Sequence, residues 1–324
     1  MVRARPYRVV RALGRRAARR HRRRVLLSTL APVELAERVA LRSFFLPERP
    51  GPQTALQALG EPRDMCLVDR WTEPRVVVVV APSDLVLAGD PEMLRPASLR
   101  SLAFRGKIEA PPTFGSVLRQ AYPDLRAWPR IVGTLQGRPT PPLPAGITVR
   151  RLVADDGMLA GAIHPHAKWI WKHYRCPEAM AASGLVWAAI ADERCVSIAL
   201  PMTRGERYED LCVFTDPSFR GMGLSPACVA KIIEDVKHRG RIRSWSTSVH
   251  HKASQRVAQK LGFQQNRTDF VYITGSDWGA SRTRRPERLL RRWRKRGTRA
   301  DQTDAWKSAW RKTRSWSASG DPYS

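Results

Sequence analysis

The chain has no long hydrophobic run. Its longest uncharged, mostly apolar stretch, residues 179–191, falls well short of the ~20 residues that cross a bilayer, so no membrane span is expected. It also lacks a cysteine framework. The five cysteines, Cys66, Cys176, Cys195, Cys212 and Cys228, are odd in number and never form a Cys-x-x-Cys pair. That spacing argues against a disulfide scaffold and a zinc ribbon, and suits a reducing, cytoplasmic setting. Acidic residues are scarce, 29 against 57 basic ones, for a net charge of +28 over 324 residues. With 43% hydrophobic residues the chain still has enough apolar material for a core, which excludes a wholly disordered protein.

The charge excess is unevenly placed. Residues 1–24 hold eleven Arg and no acid, and residues 282–324 carry a net +10, leaving only +7 for residues 25–281. Blocks of one sign have little apolar surface to bury and are expected to stay solvated. The N-terminal block is too long for the charged region of a secretory signal, and the apolar stretch after it stops at Pro32. The C-terminal block mixes Arg and Lys with Trp293, Trp306, Trp310 and Trp316. Such a segment could grip phosphates and stack on single-stranded bases, or lie on an anionic membrane surface.

Between the tails the chain reads as mixed α/β. Apolar spacing indicates helices over 35–46 and 54–59, and strands over 65–69, 75–80 and 85–88. Val76–Val80 is five consecutive valines, which fits a strand buried on both faces. Residues 137–146 hold Pro139, Pro141, Pro142 and Pro144 and read as a linker. The expected organisation is a basic tail 1–31, a small α/β lobe 32–136, a linker 137–145, a second domain 146–275 and a basic tail 276–324. The second domain opens with a strand at 147–152 and a helical region at 156–174. A hairpin over 185–191 and 195–200, a strand at 208–214 and a long helix at 224–239 follow. A strand at 243–247, a helix at 253–261 and a strand at 270–273 complete it.

Between the strand at 208–214 and the long helix lies Pro217-Ser218-Phe219-Arg220-Gly221-Met222-Gly223-Leu224-Ser225. A turn with little side-chain bulk lets successive backbone N–H groups converge on an anion. The helix N-terminus adds about half a positive charge, and Arg220 adds a full one. A diphosphate is the natural guest.

This turn resembles the acetyl-CoA loop of the GNAT superfamily of N-acetyltransferases, Arg/Gln-x-x-Gly-x-Gly/Ala, with Arg220 and Gly223 matching and Ser225 as the last small residue. Downstream, residues 245–254 and Val257-Ala258-Gln259-Lys260-Leu261-Gly262-Phe263 resemble the family's Asn-x-x-Ser…Lys-Leu-Gly-Phe segment. The likeness covers residues 146–275 and points to a branch with a diverged N-terminal half. It implies a GNAT-like fold for the C-terminal half and acetyl-CoA as cosubstrate. It implies an amine acceptor (small molecule, protein or RNA-borne) and direct transfer without an acyl-enzyme. The cofactor contacts it implies are Val213, Phe214, Thr215, Arg220, Gly221, Met222, Gly223, Leu224, Ser225, His251 and Ser254. Two positions depart from the pattern. His251 stands where the family has Asn. Ala258 stands where many members have a Tyr that protonates the departing thiolate, which leaves Tyr208, Tyr272 or water as acid, or a thiolate that departs unassisted.

Transfer to an amine needs that amine deprotonated and in line with the thioester carbonyl. Glu209 is the carboxylate expected to act as base, with Glu206 and Asp210 as rivals. Strand alternation puts Glu209 and Asp210 on opposite faces. A backbone N–H near 213–215 would polarise the thioester oxygen. Cys212 lies on the same strand, with no activating base near it in sequence. His164, His166 and His173 have no Cys, Asp or Glu at ligand spacing, so no metal is expected. Phe104-Arg105-Gly106-Lys107-Ile108 imitates the cofactor loop, but Pro111 and Pro112 forbid the helix that must follow. The competing expectation is a nucleic-acid-binding protein that keeps an inactive GNAT-like scaffold between basic tails.

Overall fold

The computed structural model describes residues 30–135, 137 and 146–275. Both basic tails and most of the Pro-rich linker lie outside the described residues. The chain divides into two compact units that do not follow the sequence boundary at the linker. The first takes the chain to Pro47, Thr54–Ala127 and Val271–Gly275. The second takes Glu48–Gln53 and Trp128–Phe270.

The first unit holds β1 (Ala31–Pro32), α1 (Thr54–Leu59), β2 (Met65–Val68), β3 (Val76–Val80) and β4 (Asp84–Gly89). It continues with α2 (Pro96–Ser101), β5 (Gly106–Glu109) and α3 (Gly115–Ala121). Strand β3 is the valine run, and Val76–Val79 are fully buried, as its unbroken apolar character demands. Leu41, Ala55, Ala58, Val77 and Val79 share one core cluster. Strands β4 and β5 pair in parallel. The cofactor-loop imitation at 104–108 is therefore the start of a strand, not a turn opening a helix.

The second unit holds β6 (Arg126–Leu135) from Trp128 onward, β7 (Thr148–Arg151), α4 (Gly157–Gly161), α5 (Pro177–Ala182), β8 (Trp187–Ala191) and β9 (Arg194–Arg204). Then come β10 (Tyr208–Thr215), α6 (Leu224–His238), β11 (Ile242–Ser248), α7 (Lys252–Lys260) and β12 (Phe263–Thr274). Its strand order is β12-β6-β11-β10-β9-β8-β7. The β8–β9 hairpin turns at Asp192 and Glu193, both at positive φ, the two-residue turn whose twist matches antiparallel strands. The expected helix over 156–174 is broken into 3₁₀ turns and a short α-helix, because Pro165 lacks the N–H a continuous helix needs. The last strand is far longer than residues 270–273. Its tip, Val271–Thr274, belongs to the first unit, where Tyr272 pairs antiparallel with Ile108 of β5.

Helix α6 buries Leu224, Ala227, Cys228, Val229, Ile232, Ile233 and Val236, a stripe at helical spacing. That stripe packs on Ala189, Val196, Ala199, Leu211 and Trp245 to form one core layer. The opposite face of the sheet carries a second cluster, with Ile163, Ala167, Ile170, Met180 and Ile198, against which Trp169, Trp171 and Tyr174 pack. Strand β10 therefore lies between two apolar layers, and its side chains alternate between them.

Candidate active site

Strand β10 ends at Thr215, and Asp216 reverses the chain. Its carboxylate accepts the Ser218 N–H at 2.9 Å and its carbonyl accepts the Phe219 N–H. Arg220, Gly221, Met222 and Gly223 follow, and α6 begins at Leu224. Gly221 and Gly223 sit at φ +88° and +80°, the left-handed region that L side chains rarely adopt. A Cβ at either would meet nothing within 4 Å, so the turn faces open space. That is the shape of a cradle for an anion. Pro226 in the first helical turn has no N–H, so the orphan donors at this helix end come from residues up to Ser225. Leu224 is buried in the core and can offer only its backbone. Arg220 donates weakly through Nε to the Thr215 carbonyl, 3.4 Å away.

Three hydroxyls tie this turn to the sheet. Ser197 Oγ donates to the Phe214 carbonyl at 3.0 Å, which uses its one proton. Thr215 Oγ1, 2.7 Å from Ser197 Oγ and 2.7 Å from Ser225 Oγ, then donates to Ser197, and Ser225 must donate to Thr215. The Ser225 hydroxyl is thus spent on holding the helix to β10. Among the expected cofactor contacts it keeps its backbone N–H.

Strands β10 and β11 run parallel, bridged at Tyr208↔Ile242, Glu209↔Arg243 and Asp210↔Ser244. Beyond these three pairs, with β10 continuing to Thr215 and β11 to Ser248, no further pair is bridged. At the same level the β10–β9 ladder shifts register, from Asp210↔Thr203 to Leu211↔Pro201, with Met202 of β9 as the extra residue. Strands β10 and β11 part there, and the β11-facing backbone of 211–215 is available to a ligand lying in the wedge. Val213 packs toward α6, while Cys212 and Phe214 face the other layer.

The two neighbouring carboxylates at the start of the wedge have different surroundings. Glu209 is 0% exposed. Its oxygens accept Arg239 Nε at 2.9 Å, Arg239 Nη2 at 2.7 Å and Arg241 Nη1 at 2.9 Å. Arg239 is the C-cap of α6, where a cation also suits the helix dipole. This carboxylate is engaged by guanidinium donors. Asp210, 5% exposed, faces the other way, with Ser244 Oγ at 3.1 Å and Ser246 Oγ at 2.6 Å. It stands at the point where β10 and β11 separate. Glu206 lies in the turn before β10.

The Glu209 ion pairs make a stability prediction. Replacing Glu209 by Gln leaves two guanidiniums without their partner while each keeps 28% of its surface in water. The expected cost is about 3 kcal/mol, the low end for breaking a buried pair. Guanidinium-chloride unfolding should show a lower midpoint at unchanged slope, and an unchanged midpoint would refute a structural role.

The remaining expected residues are placed as follows. His251 is the N-cap position of α7. Ser254 Oγ accepts the Trp245 indole N–H at 3.0 Å, leaving its own proton for a ligand. Ala258 is buried in the core cluster beside Trp245, Leu261 and Phe263, so this position is filled by packing. Tyr208 is buried, with Arg207 over its ring. Tyr272 belongs to the first unit. Tyr174 donates to the Pro201 carbonyl at 3.0 Å, and burial pushes its phenol above the ordinary range. His164 stacks on Phe214, with ring centres 6.1 Å apart, and its Nδ1 accepts the His166 N–H. Burial holds its imidazole below the usual range, helped by Arg220 and Arg194 and opposed by Asp216. Among the described residues no group of three or more His, Cys, Asp or Glu is placed to hold a metal ion, and no helix is long and apolar enough to cross a membrane.

Sequence reasoning missed Ser244, Ser246 and Pro226. Only the position of Pro226, two residues past the last cradle residue but one, was visible as a local signal.

Comparison with known proteins agrees with this geometry. A family profile described as GNAT acetyltransferase matches residues 140–272. The chain is 34% identical over 201 residues to an uncharacterized N-acetyltransferase of the mutA 5′ region of Streptomyces virginiae, covering 60% of this chain and 84% of that one. Among solved structures, a GCN5-related N-acetyltransferase-like protein of Streptococcus suis superposes with a TM-score of 0.58. That match is at 18% identity and covers 74% of this chain and 99% of the other. A GNAT-family acetyltransferase of Colwellia psychrerythraea gives 0.51 at 10% identity, covering 75% and 98%. These two support the fold, and the Streptomyces relative, matched over most of its length, carries the family. An inactive nucleic-acid-binding scaffold is not favoured. The glycine turn, the wedge between parallel strands and the relative together make this chain an N-acetyltransferase of the GNAT superfamily.

Proposed function

We propose that this enzyme moves an acetyl group from acetyl-CoA to an amine acceptor by direct transfer, with Asp210 and not Glu209 as the base. The observation that carries the reading is the wedge that opens after Asp210 and ends at the left-handed Gly221/Gly223 turn. The turn suits a diphosphate: Cβ-free residues facing open space, backbone N–H groups up to Ser225, and the α6 N-terminus behind them. Bound there, acetyl-CoA supplies an activated thioester.

The chain's own part is orientation and proton removal. The β11-facing N–H groups of 211–215, a segment that keeps its pairing with β9 but has no bridge partner on β11, are the donors for the thioester oxygen. Asp210 takes the proton of the attacking amine, directly or through one water, from the face opposite α6. Its two serine partners hold the carboxylate in place. Ala258 supplies no acid, so the thiolate leaves with a proton from water or from Tyr208. The acceptor is an amine whose carrier the fold does not name. The reading is tested by calorimetry with CoA, and by thiol release from acetyl-CoA against small amines, amino sugars and lysine peptides. Absence of both binding and release would overturn it.

The basic segments 1–24 and 282–324 are assigned to acceptor capture or location on a polyanion. Their motive is charge: +21 of the +28 lies in them. Polyanion affinity should fall linearly in a log–log salt plot for the full chain and far less steeply once both segments are deleted, with CoA affinity unchanged. Equal slopes would move polyanion binding to the folded body.

A further inference from the structure

Residues Glu48–Gln53 come from the N-terminal half of the sequence but belong to the second unit. They form a strap over the strands at the level of Asp210. Glu48 is nine-tenths buried. Its carboxylate accepts three successive backbone N–H groups of the β9–β10 turn: Glu206 at 2.7 Å, Arg207 at 2.8 Å and Tyr208 at 3.1 Å. Gly205 in the same turn has no room for a side chain, since an added Cβ would lie 2.8 Å from the Glu48 carboxyl carbon. Farther along, the Gln53 N–H donates to Thr203 Oγ1 at 2.8 Å. The Gly51 carbonyl lies 3.5 Å from Ser244 Oγ. The Gln53 side chain folds back onto the Arg49 and Gly51 carbonyls and stiffens the strap.

The two strands touched are those that flank Asp210. Thr203 of β9 is its cross-strand partner on one side, and Ser244 of β11 on the other. Ser244 has one hydroxyl proton for three acceptors: the Asp210 carboxylate, the Glu209 carbonyl and the Gly51 carbonyl. The strap thus shares a hydrogen-bond donor with the proposed base.

We propose that Glu48 is a positioning residue of the transfer step. By fixing the turn that leads into β10, it holds Asp210 at the parting of β10 and β11, and the strap forms the wall of the acceptor side. This rests on the reading of Asp210 as base. The argument is one of leverage. The turn's three N–H groups end two residues before Asp210, whereas the cradle begins about 16 Å farther along the strand at ~3.3 Å per residue. A displaced base loses rate steeply, since about 1 Å of misplacement can cost of the order of 10²-fold. Cofactor affinity, set at the far end of the strand, is not affected.

The test uses Glu48→Gln, which puts an amide donor against backbone N–H groups, and Gly205→Ala, which pushes on the same carboxylate from the other side. Both are made in the full chain. The expected result for each is a kcat lower by roughly 10- to 100-fold, with CoA affinity by calorimetry within about twofold of the parent. Asp235→Asn is the stability control. It removes the carboxylate that holds Arg151 and the Trp187 indole, far from Asp210 in sequence and on α6, and it should retain kcat. Parent-like kcat in both strap variants overturns the proposal, as does a parallel loss of kcat and CoA affinity. If Asp210→Asn itself retains kcat, the reading of the base fails. If Asp210→Asn is impaired and the strap variants are not, only the role of Glu48 fails.

Discussion

Asp210→Asn is expected to lower kcat by about 10²–10⁴, the range for removing a general base, while CoA binds as before. The substitution keeps shape, and the amide can still meet Ser244 and Ser246, so the strands should stay together and unfolding should shift little. Glu209→Gln is the informative neighbour. It faces Arg239 and Arg241, and it should lose stability yet keep its rate per folded molecule. The two adjacent carboxylates therefore predict opposite phenotypes: one kinetic, one thermodynamic. If Glu209→Gln loses rate at full folding and Asp210→Asn does not, the base is Glu209 and the ion pairs with arginine must rearrange during turnover.

Gly223→Val should weaken CoA binding more than about 100-fold. Valine resists the left-handed region, at a cost of order 1–3 kcal/mol for a strained non-glycine residue, and its branches project into the open side of the turn. The backbone relaxes away from φ +80°, and the N–H groups around it no longer converge. Gly223→Asn separates the two causes, because Asn tolerates that conformation while still adding bulk. Partial recovery with Asn assigns the loss to backbone geometry, and equal loss assigns it to steric exclusion. A valine variant that binds CoA with parent affinity in calorimetry would sink the assignment of the loop.

Much of the second unit was legible along the chain, because its signals are local. Alternation marked β7, the polar turn at Asp192–Arg194 marked the β8–β9 hairpin, and glycine after a strand and before a long apolar stripe marked the turn that opens α6. Glycine also closed α6 and α7 where expected. The short strands of the first unit were read where valine and leucine made them obvious. Strands β5 and β6 were not: Gly106–Glu109 is too short to show a period, and β6 carries Arg126, Pro129 and Arg130 within its first half.

The site divides in the same way. The turn at Arg220, Gly221 and Gly223 and the start of α6 were legible in the chain, since a turn and the helix it opens are neighbours there. The choice between Glu209 and Asp210 could not. Alternation says only that they face apart, and which face holds arginines depends on where α6 ends. The strap lies still further from local reach, with Glu48 meeting Glu206 to Tyr208 across about 160 residues. Hydrogen bonds of that separation leave no period or spacing in the sequence. The sequence by itself showed the glycine turn that opens α6, because a turn and its helix are chain neighbours, and through its motifs the likeness to the family. Only the tertiary structure decided that Arg239 and Arg241 meet Glu209 and that Ser244 and Ser246 meet Asp210, because those partners are brought together by packing.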